Sequence, residues 1–334
     1  MAPRAGAWRR VPLAADEALT SPLALRRLRV AATLQAVRLH IIDGTFELFR
    51  AHFAKWPSHV TPSGADAKAT VGVIASMVAL LHDPSESPTH VAVAFDNPIR
   101  SFRNDLFPAY KSDEGVPPEL RAQFDPVEDA VRALGLTVWS MREWEADDAM
   151  ATAAARFRDD VDQVRILTPD KDLGQCLTGS RVVQVDRVRG REIDETALLE
   201  RRGIKPASIP DFLALVGDEA DGIPGVPGFG ERTASVLLGQ FLHLEAIPRL
   251  PARWPSSVRG AVRLSAALAE SWNAALLWRR LATLVTDVPL RESLDDLRFS
   301  GIPRAAFERW CEKLGADRLL ESVRTRPVRW AEGS

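Results

Sequence analysis

Trp144-Glu145-Ala146-Asp147-Asp148 opens an alanine-rich run, residues 149–158, and the rest of the chain is organised around this stretch. The run predicts a helix with three carboxylates at its start. Glu145 and Asp148 are three residues apart and share one face of the helix, with Asp147 offset around it. Acids stabilise the positive end of any helix, so this stretch alone predicts only a well-capped helix.

Other acids follow apolar segments elsewhere in the chain. The segments are predicted to be strands at residues 38–44, 90–96, 136–140, 164–167 and 182–185. Helical patterns alternate with them, which predicts an α/β fold with a largely parallel central sheet. Asp43, Asp96 and Asp170 occupy the C-terminal ends of three of these strands. Ligands bind beyond the carboxyl ends of parallel strands, so we expect these acids and Glu145 to meet at one edge of the sheet.

From Ile209 the pattern is mainly helical and contains two glycine-rich stretches. The first, residues 217–222, holds Asp218 and Asp221. The second, residues 225–233, spaces its glycines so that backbone N–H groups can approach a phosphate ahead of a helix N-terminus. This is the hairpin pattern of a helix-hairpin-helix element, which grips duplex DNA regardless of sequence. An ordinary Gly-Pro loop explains the stretch equally well.

Nine carboxylates occupy these strand ends, helix starts and loops: Asp43, Asp96, Glu145, Asp147, Asp148, Asp170, Asp172, Asp218 and Asp221. A helix cap or a solvated loop would explain any one of them. Nine at one edge would repel one another strongly without a counter-charge. Oxygen ligands without a cysteine or histidine pair select hard ions, so we expect two Mg²⁺ or Mn²⁺ ions, with Lys171 as a further positive charge. Two such ions about 4 Å apart suit in-line displacement at a phosphodiester.

Composition narrows the class of protein. The chain has 334 residues, 46% of them hydrophobic and 26% charged, which is typical of a soluble globular protein with one large or two modest domains. Its two cysteines argue against zinc and disulfides and favour a reducing, cytoplasmic location. The longest apolar runs are too short for a membrane span. Residues 1–38 carry a net charge of +5 and predict a disordered basic tail. The remaining residues carry a net charge of −7, which gives the whole chain its net charge of −2.

In combination, these residues resemble the 5′-nuclease family, which includes flap endonucleases and the 5′-3′ exonuclease domain of bacterial DNA polymerase I. The resemblance covers about residues 39–290. The motifs that carry it are Ile41-Ile42-Asp43-Gly44, Ala94-Phe95-Asp96, Ser101-Phe102-Arg103, Tyr110-Lys111, the Glu145 stretch, Leu167-Thr168-Pro169-Asp170-Lys171-Asp172, Gly217–Gly222 and the Gly225–Thr233 hairpin. Each acidic position of the family's two-metal site has an acid here.

The resemblance implies a PIN-like catalytic domain at residues 39–205 and a helical DNA-binding region of the H3TH type at 206–334. It implies a Mg²⁺-dependent 5′-3′ exonuclease or flap endonuclease that acts on DNA with 5′ flaps, gaps or 5′ ends in replication or repair. All nine acids would be metal ligands, and Lys111, Asp170, Asp172 and Glu145 would act in catalysis. The DNA contacts would be Arg103, Tyr110, Lys111, Arg121, Gly225, Gly228, Gly230, Arg232 and Thr233, with a monovalent cation such as K⁺ at the hairpin.

Residues 97–123 correspond to the family's arch, through which a 5′ single strand passes. Their three prolines and lack of helical period predict a mobile segment. The resemblance implies that Lys111 steers or neutralises the scissile phosphate there and that Tyr110 stacks on a base. Two positions depart from the family pattern: Glu114 replaces a common basic residue in the arch, and Pro227 replaces a common lysine in the hairpin.

The chain ends soon after the nuclease region, so we expect a stand-alone, monomeric enzyme without a polymerase, an organic cofactor or a membrane partner. Two other functions stay open. One is a PIN-type metal-dependent ribonuclease. The other is a catalytically silent DNA-binding protein, which loss of metal-site acids would mark.

Overall fold

A computed structural model describes residues 36–325 and 329–331 of the chain. The disordered tail predicted at residues 1–38 therefore lies outside the described residues except for its last three positions. The strands are β1 (Arg38–Asp43), β2 (His90–Asp96), β3 (Thr137–Met141), β4 (Gln163–Leu167), β5 (Val182–Asp186) and β6 (Arg191–Ile193).

Helices separate the strands and form most of the remaining chain. They are α1 (Gly44–Phe53), α2 (Lys68–His82), α3 (Phe102–Leu106), α4 (Pro118–Arg121), α5 (Phe124–Ala133), α6 (Ala146–Phe157), α7 (Glu195–Arg202), α8 (Ile209–Val216), α9 (Glu231–Phe241), α10 (Ala261–Glu270), α11 (Trp272–Ala282), α12 (Arg304–Leu314) and α13 (Asp317–Thr325). Short 3₁₀ helices lie at Lys171–Cys176, Pro206–Ser208, Leu244–Ala246, Pro251–Arg253 and Asp295–Leu297.

The six strands of the described residues form one sheet in the order β3-β2-β1-β4-β5-β6. The first five are parallel, and only β6 runs antiparallel, against β5. The predicted α/β fold with a largely parallel sheet is therefore confirmed. The chain runs outward to β2 and β3 on one side of β1 and then to β4 and β5 on the other. This order creates a switch point between β1 and β4, beyond whose carboxyl ends a ligand site is expected.

Apolar side chains cover both faces of the sheet. One face packs against α1, α2, α5, α12 and α13, and its core includes Phe95, Met77 and Phe307. The other face packs against α6, whose alanines allow a close approach to β1 and β2. Strands buried on both faces are apolar throughout, which is why β1 and β2 contain continuous apolar runs rather than an alternating pattern.

The helical region from α8 to α11 has its own buried cluster, centred on Phe212, Leu237 and Trp278. It adjoins the carboxyl edge of the sheet through the 3₁₀ helix Lys171–Cys176, which contacts both α6 and α8. Among the described residues, no helix is long and apolar enough to cross a membrane.

The structure adds elements that the sequence pattern did not predict. Strand β6 is three residues long, and α3 and α4 lie within residues 97–123, where no helix was expected. Helix α3 has a local cause, because Ser101 caps it and Asn104 bonds back to the N–H of Ser101. Capping of this kind stabilises a single turn without any hydrophobic period.

Candidate metal centre and nucleic-acid interface

The ends of β1 and β2 fix the first two acids of the site. Asp43 caps α1 by accepting the N–H of Phe46 at 2.8 Å, and its second oxygen accepts the hydroxyl of Thr168 at 2.8 Å. Asp96 accepts the N–H of Ala146 at 2.7 Å, at the start of α6. Each carboxylate is therefore held by the backbone turn that follows a strand of the parallel sheet.

The first turn of α6 presents Glu145 and Asp147 to the same region. Glu145 is buried, and it accepts the hydroxyl of Ser101 at 2.6 Å. Its backbone N–H donates to Asp148 Oδ2 at 3.0 Å, which completes a capping box. Asp147 is half-buried and lines the same cleft as Asp43.

Asp172, Asp218 and Asp221 form the closest acidic group. Their oxygens lie within 4.8 Å of one another. Asp172 Oδ1 is buried and has no hydrogen-bond partner among the described residues. Asp170 is exposed beside this group and accepts the N–H of Asp172 at 2.9 Å. Backbone pairing between Asp218 and Ile223, at 2.7 Å in both directions, holds the loop that carries Asp218 and Asp221.

One cleft of about 800 Å³ joins these groups, and we call it the acidic cleft. Five of the nine acids line it: Asp43, Asp96, Asp147, Asp170 and Asp221. Lys111 and Lys171 provide positive charge at its walls, and the exposed side of α1 adds Phe46, Phe49 and Phe53. The cleft is therefore charged at its floor and aromatic along one side.

Burial and mutual repulsion disfavour the ionised form of several carboxylates in this region. Burial raises the pKa of Asp43 to about 7, and repulsion from Asp96 and Asp170 adds to the effect. Burial and neighbouring carboxylates also raise the pKa values of Asp147 and Asp172 well above the usual range. Bound cations would stabilise the ionised carboxylates of such a site, because they offset the repulsion between them.

Lys111 lies between two of the acids. Its Nζ is 2.9 Å from Glu145 and 3.2 Å from Asp221. Burial opposes ionisation of Glu145, but Lys111 and then Arg103 outweigh it and lower the pKa of this carboxyl overall. Asn104 donates to the backbone oxygens of Tyr110 and Lys111, at 3.2 and 2.9 Å, and so fixes the turn that carries the lysine.

Arg103 and Asp148 form a buried ion pair. Arg103 is 1% exposed, and its guanidinium makes two 2.7 Å hydrogen bonds to Asp148, which is 0% exposed. Arg103 also donates to the backbone oxygen of Leu281, and Val285 N–H donates to Asp148. The DNA contact of Arg103 and the metal ligation by Asp148 stay predictions; in this structure the two groups pair with each other and join α3, α6 and the end of α11.

Tyr110 is buried as well. It is 4% exposed, and its hydroxyl donates at 3.2 Å to Glu145 and Asp221. Stacking of a base on Tyr110 stays a prediction; in this structure its hydroxyl contacts and positions those two carboxylates. Arg121, in contrast, is exposed, although it pairs with Asp113 at 3.1 Å.

The predicted hairpin brings glycines to a tight turn between α8 and α9. Gly225 has φ +76°, and a Cβ there would lie 2.5 Å from backbone atoms of Val216 and Gly217. Only glycine fits such a position. Val226 N–H donates to Leu215 O at 2.8 Å, which closes the turn. Gly228, Gly230 and Arg232 lie exposed and Thr233 half-exposed, all at or beside the start of α9.

Arg263 is a candidate that sequence reasoning missed. It lies exposed in the first turn of α10, and its guanidinium reaches Gly228: a Cβ on Gly228 would be 2.5 Å from Arg263 Nη1. Its guanidinium forms no ion pair or hydrogen bond with a described residue. Arg263 thus adds a positive charge at the hairpin in which Pro227 replaces a lysine. No local motif marks it, because the contact spans 35 positions of sequence.

Divalent ions fit this donor set. The lining of the acidic cleft offers oxygen ligands without cysteine or histidine, and Asp172 Oδ1 has no hydrogen-bond partner in the described part of the chain. Hard ions such as Mg²⁺ or Mn²⁺ prefer such ligands. The acids best placed to hold them are Asp43, Asp96, Asp147, Asp170, Asp172, Asp218 and Asp221, with Glu145 held next to Lys111.

Two adjoining parts of the chain match the 5′-3′ exonuclease family. Residues 38–203 match its N-terminal resolvase-like domain, and residues 204–305 match its C-terminal SAM fold. DNA polymerase I of Pseudomonas aeruginosa is 37% identical over 275 residues, which is 80% of this chain and 29% of that protein. DNA polymerase I of Bacillus subtilis is 33% identical over 290 residues, 86% of this chain and 32% of that protein. The chain thus spans about a third of the length of these curated relatives.

Solved structures share the fold at lower identity. The T5 D15 protein co-crystallised with metal ions aligns with a TM-score of 0.57 and 20% identity, over 86% of this chain and 97% of that one. Human GEN1 in complex with Holliday junction DNA aligns with a TM-score of 0.59 and 14% identity, over 89% of this chain and 75% of that one.

Proposed function

The chain belongs to the 5′-3′ exonuclease family, and we propose that it is a Mg²⁺-dependent, structure-specific nuclease that hydrolyses DNA at 5′ flaps, gaps and 5′ ends. The observation that carries this proposal is the acidic cleft, where carboxylates from the ends of three parallel strands meet Lys111. The curated relatives that are DNA polymerases and the solved relatives bound to DNA or metal ions support the same substrate class.

In this proposal the carboxylates divide into two kinds. Those of the acidic cleft and the Asp172, Asp218 and Asp221 group would hold two divalent ions, which would supply an activated water and stabilise the leaving oxygen. Glu145 holds Lys111 in place, and the ammonium group faces the scissile phosphate. A cation fixed near the developing negative charge lowers the barrier without any reorganisation during the reaction.

The hairpin and α10 bind the duplex in this proposal. Backbone N–H groups of Gly228 and Gly230 lie at the positive start of α9, where a phosphate binds favourably. Arg232 and Arg263 add charge on either side, so Arg263 stands in for the lysine that Pro227 replaces. We also propose that K⁺ binds at this hairpin and that the enzyme acts as a monomer.

The test is a cleavage assay on 5′-flap, gapped and single-stranded DNA and on RNA of the same structures, with Mg²⁺, Mn²⁺ or excess EDTA. We expect cleavage of the flap and gapped DNA, none in EDTA, and at least tenfold slower cleavage of RNA. Asp170→Asn should abolish cleavage but keep DNA binding intact or tighter, because it removes negative charge from the cleft and leaves the hairpin unchanged.

Two outcomes would replace the proposal. Faster cleavage of RNA than of DNA would favour a metal-dependent ribonuclease. Tight DNA binding by the wild type without cleavage in any metal would favour a silent DNA-binding protein. Full activity in excess EDTA would contradict the two-metal mechanism directly.

A further inference from the structure

A second, smaller cavity adjoins the acidic cleft on the side of the β5–β6 hairpin. It has a volume of about 230 Å³, below the roughly 300–1,000 Å³ of sites for drug-sized ligands. We call it the basic pocket, because its charged lining residues are Lys171, Arg189, Arg191, Arg201, Arg202 and a single acid, Asp186. The dimensions suit one small anionic group rather than a whole organic ligand.

The internal ion pairs do not neutralise this pocket. Asp186 pairs with Arg189 at 2.9 Å, and Lys171 pairs with Asp218 at 2.6 Å. Arg191 and Arg201 are exposed, and their guanidinium groups form no ion pair or hydrogen bond with any residue between 36 and 325. Each free guanidinium presents a planar fork of donors that matches two oxygens of a phosphate, and both groups line the same cavity.

Arg202 links the basic pocket to the acidic cleft. It lines both cavities, as do Lys171 and Pro169. Its Nη1 atom is buried and has no hydrogen-bond acceptor in the described part of the chain. Its guanidinium carbon lies 5.5 Å from the centre of the Phe212 ring, which holds the side chain in place. A buried donor without an acceptor is unfavourable, so an anion that supplied one would be bound more tightly.

We propose that the basic pocket binds one phosphate of the DNA substrate, next to the nucleotide at the acidic cleft. The inference rests on the proposed function, because it takes the ligand of the adjoining cleft to be DNA. Arginine contacts to a phosphate set the position of the strand and carry no base specificity. The bound group is either a backbone phosphodiester or a terminal 5′-phosphate, which share the same oxygen acceptors.

The test uses the double variant Arg191→Ala/Arg201→Ala in the full chain. Both side chains are exposed, so the fold should tolerate the change. We expect the affinity for a 5′-flap substrate in EDTA to weaken about tenfold. The slope of log affinity against log salt concentration should become shallower by about one, because one phosphate contact is lost. The single-turnover cleavage rate at saturating protein should stay within about threefold of wild type.

Arg309→Ala/Arg318→Ala is the matched control. It removes the same charge from two exposed arginines on α12 and α13, which pack on the other side of the sheet and line neither cavity. Equal losses of affinity and salt slope in both double variants would contradict phosphate binding at the basic pocket, because a non-specific charge effect would explain them. Wild-type behaviour of Arg191→Ala/Arg201→Ala would overturn it as well.

Recessed duplexes with a 5′-phosphate or a 5′-hydroxyl identify the source of the phosphate. A loss confined to the phosphorylated duplex assigns a terminal 5′-phosphate, and an equal loss on both assigns a backbone phosphate. Failure of the proposed function would look different: the wild type would cleave no DNA in Mg²⁺, whatever the pocket variants bind.

Discussion

The two sides of the first turn of α6 carry neighbouring aspartates in opposite electrostatic surroundings. Asp147 faces Asp43, Asp96 and Asp170 in the acidic cleft, and burial together with these charges raises its pKa well above the usual range. Asp148 faces inward and receives two 2.7 Å hydrogen bonds from the Arg103 guanidinium. The difference shows that charge balance, rather than the presence of an acid, separates a candidate metal ligand from a structural ion pair.

Asp147→Asn tests the cleft side and should have the largest effect. We expect single-turnover cleavage of a 5′-flap substrate to fall at least about a thousandfold, or about 4 kcal/mol in barrier height, because the substitution removes a charged ligand. The metal-free variant should unfold at the same temperature as wild type or higher, since one carboxylate of a repelling group is gone.

Thermal unfolding and cleavage rates together check this prediction. Cleavage within tenfold of wild type would show that Asp147 holds no ion. A large fall in unfolding temperature would show that Asp147 is structural and would remove the contrast with Asp148.

Asp148→Ala tests the paired side. It leaves the Arg103 guanidinium buried without its partner, so the free energy of unfolding should fall by about 3 kcal/mol. Urea unfolding measures this loss. The double variant Arg103→Met/Asp148→Leu is the control, because replacing both charges by apolar groups should recover much of the stability. Equal stability of Asp148→Ala and wild type would mean that the pair contributes nothing.

Lys111→Ala tests a residue that contacts Glu145 at the start of α6 and also lines the acidic cleft. Its ammonium group is a counter-charge for Glu145 and Asp221 but is still partly exposed to the cleft. We expect the cleavage rate at saturation to fall about tenfold to a hundredfold, or 1.4 to 2.7 kcal/mol, while duplex affinity changes less than threefold. Weaker binding with a wild-type rate at saturation would make Lys111 a docking charge only.

The smallest effect is expected from a third ionic group, remote from the cleft. His40 and then Arg165 lower the pKa of Glu86 to about 2, against the opposing effect of burial. A lowered pKa in the folded state stabilises the protein above the ordinary pKa of glutamate, and this stabilisation is lost as the pH falls toward 2. The free energies of unfolding of wild type and Glu86→Gln should therefore differ at pH 5 and approach each other as the pH falls to 2.5. A constant difference over that range would contradict the assignment.

The parallel strands and their order along the chain were predictable because both faces of the sheet are buried. Burial on both faces requires continuous apolar runs, and such runs are visible without a structure, as in Ile41-Ile42 before Asp43. The acids at the strand ends were predictable for a related reason, since parallel strands place their carboxyl ends at one edge. Strand β6 is too short for a pattern, and α3 depends on a cap rather than on a period.

The sequence alone determined the α/β fold, the family and the concentration of carboxylates at one edge of the sheet, because local patterns and motifs carry that information. Only the tertiary structure decided which charges are free. It buried Arg103 against Asp148, enclosed the ring of Tyr110 and placed Arg263 against Gly228. It also left Arg191 and Arg201, beside the acidic cleft, without an ion-pair partner among the residues that the structure describes. Ion pairing depends on which side chains meet across long separations in the chain, and a linear pattern does not record those meetings.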